Sequence, residues 1–292
     1  MKENQFENKT CWITGASSGI GAALAVTLNK LGANVIISSR NRHLLDELKN
    51  TCDFPERIRI VVCDMEMTET MADIAAEAWE IFNGIDYAFL NAGIAVRDTV
   101  INTDSAMMKK VMDINFLSNT EISKALLPLM IKKGYGHFVV TSSLCGKFGV
   151  PKLSAYSASK HALHGYFESL RAEYGSHGIN VTMVTAGLVK TNISMNALKG
   201  DGTSYGRMQE SIANGITPAR CANQMVRAVA KRSREILVGG IEKYSVLLKR
   251  FTPGFHAFAI DKHPLKKLRN LFLVRKSLYL FLFRTSVLQK EL

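Results

Sequence analysis

Three residues able to move a proton stand in order along the chain: Ser143, then Tyr156 thirteen positions on, then Lys160 four further. The segment around the last two, residues 155–175 (AYSASKHALHGYFESLRAEYG), has strong helical character, so a spacing of four puts both side chains on one face. A free phenol titrates near pH 10, too high for an efficient acid or base near neutrality. A neighbouring ammonium favours the phenolate, so Lys160 is expected to lower the pKa of Tyr156. Ser143 ends the apolar run GHFVVTSS, where a hydroxyl can donate to a substrate oxygen on which charge develops. Together these groups suit reversible carbonyl reduction, with a nicotinamide cofactor supplying hydride and the protein supplying the proton.

That chemistry needs a dinucleotide held beside the phenol. Residues 14–21 read TGASSGIG, between an expected strand at 10–14 (TCWIT) and an expected helix at 22–31. Gly15, Gly19 and Gly21 are placed in the turn, where they allow close backbone approach, and Ser17, Ser18 and Ile20 complete a cradle for a pyrophosphate at the helix start. The next expected strand, 33–38 (ANVIIS), runs into Ser39, Arg40 and Arg42. No carboxylate stands there to repel a 2′-phosphate, and Arg40 can pair with one through two charge-assisted bonds, so the expected cofactor is NADP(H) rather than NAD(H).

Further apolar runs, each ending in polar or small residues, follow at 57–63 (then Asp64), 85–90 (then Asn91-Ala92-Gly93), 136–141 (then Ser142-Ser143) and 179–185 (then Ala186-Gly187). Helix-length segments at 68–82, 120–132 and 153–174 separate them. Such alternation predicts an α/β fold: a doubly wound, Rossmann-like parallel sheet with helices on both faces, binding its ligand at the carboxyl ends of the strands.

In these motifs the chain resembles the short-chain dehydrogenase/reductase family of single-domain type, over about residues 8 to 240. The resemblance implies that TGASSGIG is the cofactor loop, that Asp64 meets the adenine amino group, and that Asn91-Ala92-Gly93 supports the central sheet. It further implies that Asn115 holds a water in a proton relay, that Lys160 also binds the nicotinamide ribose, and that Gly187 and Thr191 serve the nicotinamide. Ser143, Tyr156 and Lys160 match the catalytic residues, and a homodimer or homotetramer is implied as well. One departure is Ala186 before Gly187, where the family usually has proline; a less rigid loop is expected. Residues 196–202 and 239–244 are similar to a branch with lipid-like or uncertain substrates, several of them membrane-associated. The segment 193–216, with Met195 and Met208, is expected to face a hydrophobic carbonyl or alcohol, such as a steroid, retinoid or fatty-acyl derivative.

Composition frames the rest. A chain of 292 residues with 47% hydrophobic content and no internal linker is expected to form one catalytic domain, 1–240, with a C-terminal basic and apolar helical extension, 241–292. From Lys231 onward there are 14 basic and 4 acidic residues against a net charge of +12 for the whole chain, so the basic character belongs to the tail and argues against a nucleic-acid-binding enzyme. Its longest apolar run, 278–283, is far shorter than the roughly 20 residues needed to span a bilayer. Residues 262–292 therefore suit either peripheral contact with an anionic membrane or packing on protein. Residues 1–8 carry no signal-peptide pattern, and the five cysteines lack metal or redox spacing; a cytoplasmic location with reduced thiols is expected. The seven histidines sit in no ligand-like grouping, so no metal is expected. The alternative function class is a cofactor-binding scaffold or redox sensor with vestigial catalysis and the tail as its working end.

Overall fold

The computed structural model describes residues 5–262. Seven strands form one sheet: β1 (Thr10–Thr14), β2 (Asn34–Ser39), β3 (Ile58–Val62), β4 (Tyr87–Leu90), β5 (Gly136–Ser143), β6 (Ile179–Ala186) and β7 (Glu235–Val238). Their order is β3-β2-β1-β4-β5-β6-β7, and every pairing is parallel. The continuous apolar runs predicted this, because strands covered on both faces have no polar side to show. In β1, Cys11 and Ile13 point into one layer and Trp12 into the other.

One face is covered by α1 (Gly19–Lys30), α2 (Arg42–Asn50) and, further along the chain, α8 (Pro218–Ala230). The opposite face is covered by α3 (Met71–Glu80), α5 (Ser118–Lys133) and α6 (Ser154–Tyr174), with α4 (Ser105–Met112) packed beside α6. Four-residue α7 (Glu210–Ala213), α9 (Ser245–Phe251) and α10 (Pro253–Lys262) complete the α-helices among the described residues. On α6 the positions Lys160, Leu163, Phe167 and Leu170 recur at helical spacing and are all buried, so the stripe that anchors the helix carries the lysine inward with it.

The chain runs outward from β1 through β2 to β3 and then returns to lay β4 on the other side of β1. The crevice where the winding reverses lies at the carboxyl ends of β1 and β4, the position at which open α/β sheets bind ligands.

Two features differ from the expectation. Helix α1 begins at Gly19 rather than residue 22, so Gly19 and Gly21 belong to its first turn and only Gly15 precedes it in the bend. The edge strand β7 (EILV) gave no clear signal because four residues beside two glycines are too short for a pattern to register. Residues 241–262, the start of the expected helical extension, form a 3₁₀ turn (Ile241–Tyr244), α9 and α10, and Ala259 and Ile260 are buried with Phe148. The remainder of the expected extension, including the basic and apolar run at 265–284, lies outside the described residues. Among the described residues no helix is long and apolar enough to cross a membrane.

Candidate active site

The glycine turn is defined by what a side chain would strike. Gly15 has φ +66°, and a Cβ there would lie 2.8 Å from the Cα of Ala92. Gly19 has φ +58°, and its Cβ would lie 3.0 Å from Thr191 Cγ2. Both positions demand a residue that tolerates the left-handed region and occupies no space, so the turn and the loop after β6 approach each other across an open cradle. Ser18 flanks α1 without a side-chain cap, which leaves the first-turn N–H groups available to an anion. These features fit a dinucleotide pyrophosphate.

The strand ends are tied together behind this turn. Thr14 Oγ1 accepts the N–H groups of Asn91 at 3.0 Å and Ala92 at 3.1 Å. Asn91 Nδ2 donates to the carbonyls of Thr14 at 3.2 Å and Gly15 at 3.4 Å, while its Oδ1 accepts from Thr141 Oγ1 at 3.3 Å. One asparagine thus joins the ends of β1, β4 and β5.

A cleft of about 840 Å³ runs across these ends. At one extremity are Ser39, Arg40 and Asp64. Asp64 Oδ1 accepts the N–H of Glu66 at 3.0 Å, and Arg40 is exposed with no hydrogen bond or ion pair to another described residue. Arg42, next in the same basic stretch, is spent on Asp46 at 3.3 Å on the surface of α2. The middle of the cleft holds Gly15, Ser17, Ser18, Gly19 and Ile20, faced by Asn91, Ala92 and Gly93; Gly187 and Thr191 close it from the β6 side. Two expected site residues do not line it. Gly21 sits behind the turn, where a Cβ would collide with the Gly15 carbonyl, and Asn115 is fully buried.

Asn115 occupies a π-helical turn (Asp113–Leu117) joining α4 to α5. Its Oδ1 accepts the N–H of Ile94 at 2.8 Å, and its Nδ2 donates to the Ile94 carbonyl at 2.9 Å and to Ser159 Oγ at 3.0 Å. The side chain therefore clamps the segment after Gly93 onto α6. A Cβ on Gly93 would sit 3.1 Å from Asn115 Oδ1 and 3.4 Å from Lys160 Nζ, so the glycine is what lets these two groups flank the same point.

Ser143, Tyr156 and Lys160 all line the same cleft. Lys160 is 3% exposed; its Nζ donates to the Thr141 carbonyl at 2.8 Å and lies 5.7 Å from the centre of the Tyr156 ring. Burial pulls the Lys160 pKa down to about 8, with an opposing influence from Cys145. The Tyr156 phenol is held well above its ordinary value, first by burial and then by Cys145, while a hydrogen bond with Ser143 works the other way. The lowering expected from Lys160 is not among these influences: desolvation dominates, and the only opposing one is the Ser143 hydrogen bond. Ser143 Oγ accepts the Cys145 N–H at 3.2 Å, which fixes the oxygen and leaves its own hydrogen to donate.

Residues 9–202 match the short chain dehydrogenase family. This chain belongs to that family. Among curated relatives, a Dehydrogenase/reductase SDR family protein 7-like from Drosophila melanogaster is 34% identical over 269 residues, covering 90% of this chain and 82% of the fly protein. Dehydrogenase/reductase SDR family member 7B of Xenopus laevis is 38% identical over 249 residues, covering 82% and 77%. Among solved structures, a short-chain dehydrogenase from Streptomyces avermitilis aligns with a TM-score of 0.74 at 25% identity, covering 87% of this chain and 96% of that one. A Burkholderia phymatum short chain dehydrogenase/reductase, solved in complex with NAD, aligns with a TM-score of 0.75 at 21% identity over 86% and 96%.

Within this short-chain dehydrogenase the cleft also exposes residues the motifs did not single out. Thr141 acts through its main-chain carbonyl, which every residue type carries, so no sequence signal marks it. Arg97, 5.8 Å from the Tyr205 ring centre, and Arg207 also line the cleft; nearness to Asn91-Ala92-Gly93 is the one sequence hint for the first.

Because the folded-state pKa of Lys160, about 8, lies below the ordinary lysine value of 10.5, the folded chain binds fewer protons between those values, and stability rises with pH across that window. In urea denaturation without nucleotide, the wild type should gain on Lys160→Met as pH rises from 8 to 10, by up to about 1.4 kcal/mol per pH unit.

Proposed function

We propose that this short-chain dehydrogenase is an NADP(H)-dependent oxidoreductase that interconverts a carbonyl and an alcohol on a hydrophobic, steroid-, retinoid- or lipid-like small molecule. The observation that carries this reading is that Ser143, Tyr156 and Lys160 share one cleft with the glycine turn. A nicotinamide bound there supplies or receives the hydride.

The protein supplies the rest. Gly15, Ser17, Ser18 and Gly19 cradle the pyrophosphate, Asp64 takes the adenine end, and Gly187 and Thr191 take the nicotinamide end. The Ser143 hydroxyl donates to the substrate oxygen and stabilises the charge that builds there. In the reducing direction the Tyr156 hydroxyl hands its proton to that oxygen, and in the oxidising direction the phenolate takes it back. Lys160, charged below about pH 8, favours that phenolate and binds the cofactor ribose, with Asn115 supporting a proton relay behind it. The apolar side chains of Val150, Leu153, Ile193, Met208 and Ile212 along the cleft support a hydrophobic substrate.

Preference for NADP(H) rests on Arg40, whose guanidinium is free among the described residues at the end of β2. The NAD in the Burkholderia phymatum structure belongs to a chain only 21% identical, too distant to transfer a 2′-group preference. The reading also includes a homo-oligomer and a peripheral membrane contact through residues 262–292, supported by the basic and apolar character of that stretch.

Tyr156→Phe should lower turnover of hydrophobic aldehydes and ketones by about two to four orders of magnitude with NADPH affinity retained. Activity undiminished in that variant would refute the assignment of the acid. Arg40→Asp should weaken NADPH relative to NADH by about ten- to a hundredfold, read as the ratio of kcat/KM for the two cofactors. Deleting residues 262–292 should abolish flotation with anionic vesicles and leave turnover of a water-soluble substrate in place; continued flotation would remove the membrane contact from the proposal.

A further inference from the structure

The loop that leaves β6 forms the wall of the cleft from Gly187 to Thr191; no proline stiffens it, and Val189 anchors it in the core. On one side it is paired with Ile216: Lys190 N–H donates to the Ile216 carbonyl at 2.9 Å, and Ile216 N–H donates to the Leu188 carbonyl at 3.0 Å. On the other side stands Glu242, in the short 3₁₀ turn Ile241–Tyr244 that follows β7.

Glu242 is only 8% exposed, and no lysine or arginine among the described residues forms a salt bridge with it. Its Oε1 accepts the N–H of Leu188 at 3.0 Å and the N–H of Gly240 at 2.8 Å. Three glycines make room for it. A Cβ would come within 2.6 Å of Oε1 at Gly187 or at Gly239, and within 2.7 Å of Oε2 at Gly240. A carboxylate is costly to bury without a cation, and backbone N–H groups are what can satisfy it. The chain keeps it at a site made of glycine from two loops that are 52 residues apart at Gly187 and Gly239.

We propose that Glu242 is a positioning residue for the cofactor: its carboxylate fixes the backbone at Leu188, and through that residue sets the path from Gly187 to Thr191 along the nicotinamide end of the cleft. The inference rests on the reading of this cleft as the nicotinamide site. Glu242 itself does not line the cleft, so it acts through the loop alone. Thr191, at the far end of that path, is the residue that meets Gly19 of the glycine turn, so displacement at Leu188 is transmitted to both walls of the cradle.

The test uses the full chain and measures NADPH binding by calorimetry, steady-state kinetics, and amide hydrogen exchange at Leu188. Glu242→Ala should weaken NADPH about tenfold and raise the KM for cofactor, with kcat at saturating cofactor largely kept and exchange at Leu188 accelerated. Glu242→Gln retains the accepting Oε1 and should restore binding to within about twofold of wild type. Should Glu242→Ala not fold, Glu242→Asp carries the same test, because a side chain one methylene shorter cannot reach both N–H groups. Unchanged NADPH affinity and unchanged Leu188 exchange in the alanine or aspartate variant would overturn the inference and leave the cleft assignment intact. A wild-type chain that binds neither NADPH nor NADH would overturn both.

Discussion

A lysine ammonium that is 3% exposed is the constraint around which the site is arranged. Water would solvate that charge with several hydrogen bonds; inside, one main-chain carbonyl at 2.8 Å from the end of β5 takes over part of the work. The remaining desolvation shows as a pKa reduced to about 8. Lys160 stays inside because it shares a stripe with Leu163, Phe167 and Leu170, whose burial against the sheet fixes the rotation of α6. Rotating the helix to free the lysine would expose those three side chains, at roughly 1.5–3 kcal/mol each, so the core holds the cation in place. The same rotation turns Tyr156, one helical turn earlier, toward the cleft.

The support for Ser143 comes from a different quarter. The chain after β5 turns through Leu144, Cys145 and Gly146 and then meets Lys147, whose Nζ pairs with Glu235 of β7 at 3.0 Å. Glu235 in turn accepts from Thr185 Oγ1 of β6 at 2.6 Å. The edge of the sheet thus braces the loop that carries the serine. From the other side Ala259 and Ile260 of α10 pack with Phe148, Leu144 and Cys145, in an apolar cluster against which Tyr156 also rests. Helix α10 therefore backs the residues that line the cleft, and Glu242, just before α9, reaches the loop after β6. Three surfaces of the cleft depend on residues beyond position 234, a region in which no catalytic motif appears.

Electrostatics divide the cleft. The β2 end presents Arg40 without a partner among the described residues, while the acid nearby, Asp64, has one oxygen turned to its own backbone at Glu66. The central part offers backbone N–H groups at the start of α1, and the far part is walled mostly by apolar side chains. Among those apolar side chains stand three cations, Arg97, Lys160 and Arg207, so charge is placed at both ends of the cleft and amide dipoles at its centre.

The amino-acid order alone determined the sheet and most of its contents. Runs such as Cys11-Trp12-Ile13 and Ile36-Ile37 are apolar on both faces, which leaves a parallel strand covered on both sides as the arrangement that buries them; β1 spans the residues predicted. The glycine turn and the spacing of Tyr156 to Lys160 were equally legible, because close backbone approach and helical periodicity are local properties. The start of α1 lies three residues before the predicted one because glycine is a poor helix former, and only the tertiary approach of Thr191 to Gly19 and of Asn91 to Gly21 explains glycine there. What the tertiary structure decided are the partners that carry no side-chain signature or lie far away. The Thr141 carbonyl under Lys160, the buried clamp of Asn115 on Ile94 and the reach of Glu242 to Leu188 are of this kind. The state of Tyr156 is another: an adjacent ammonium is readable from a spacing of four, but the desolvation that raises the phenol comes from atoms distributed over the whole fold.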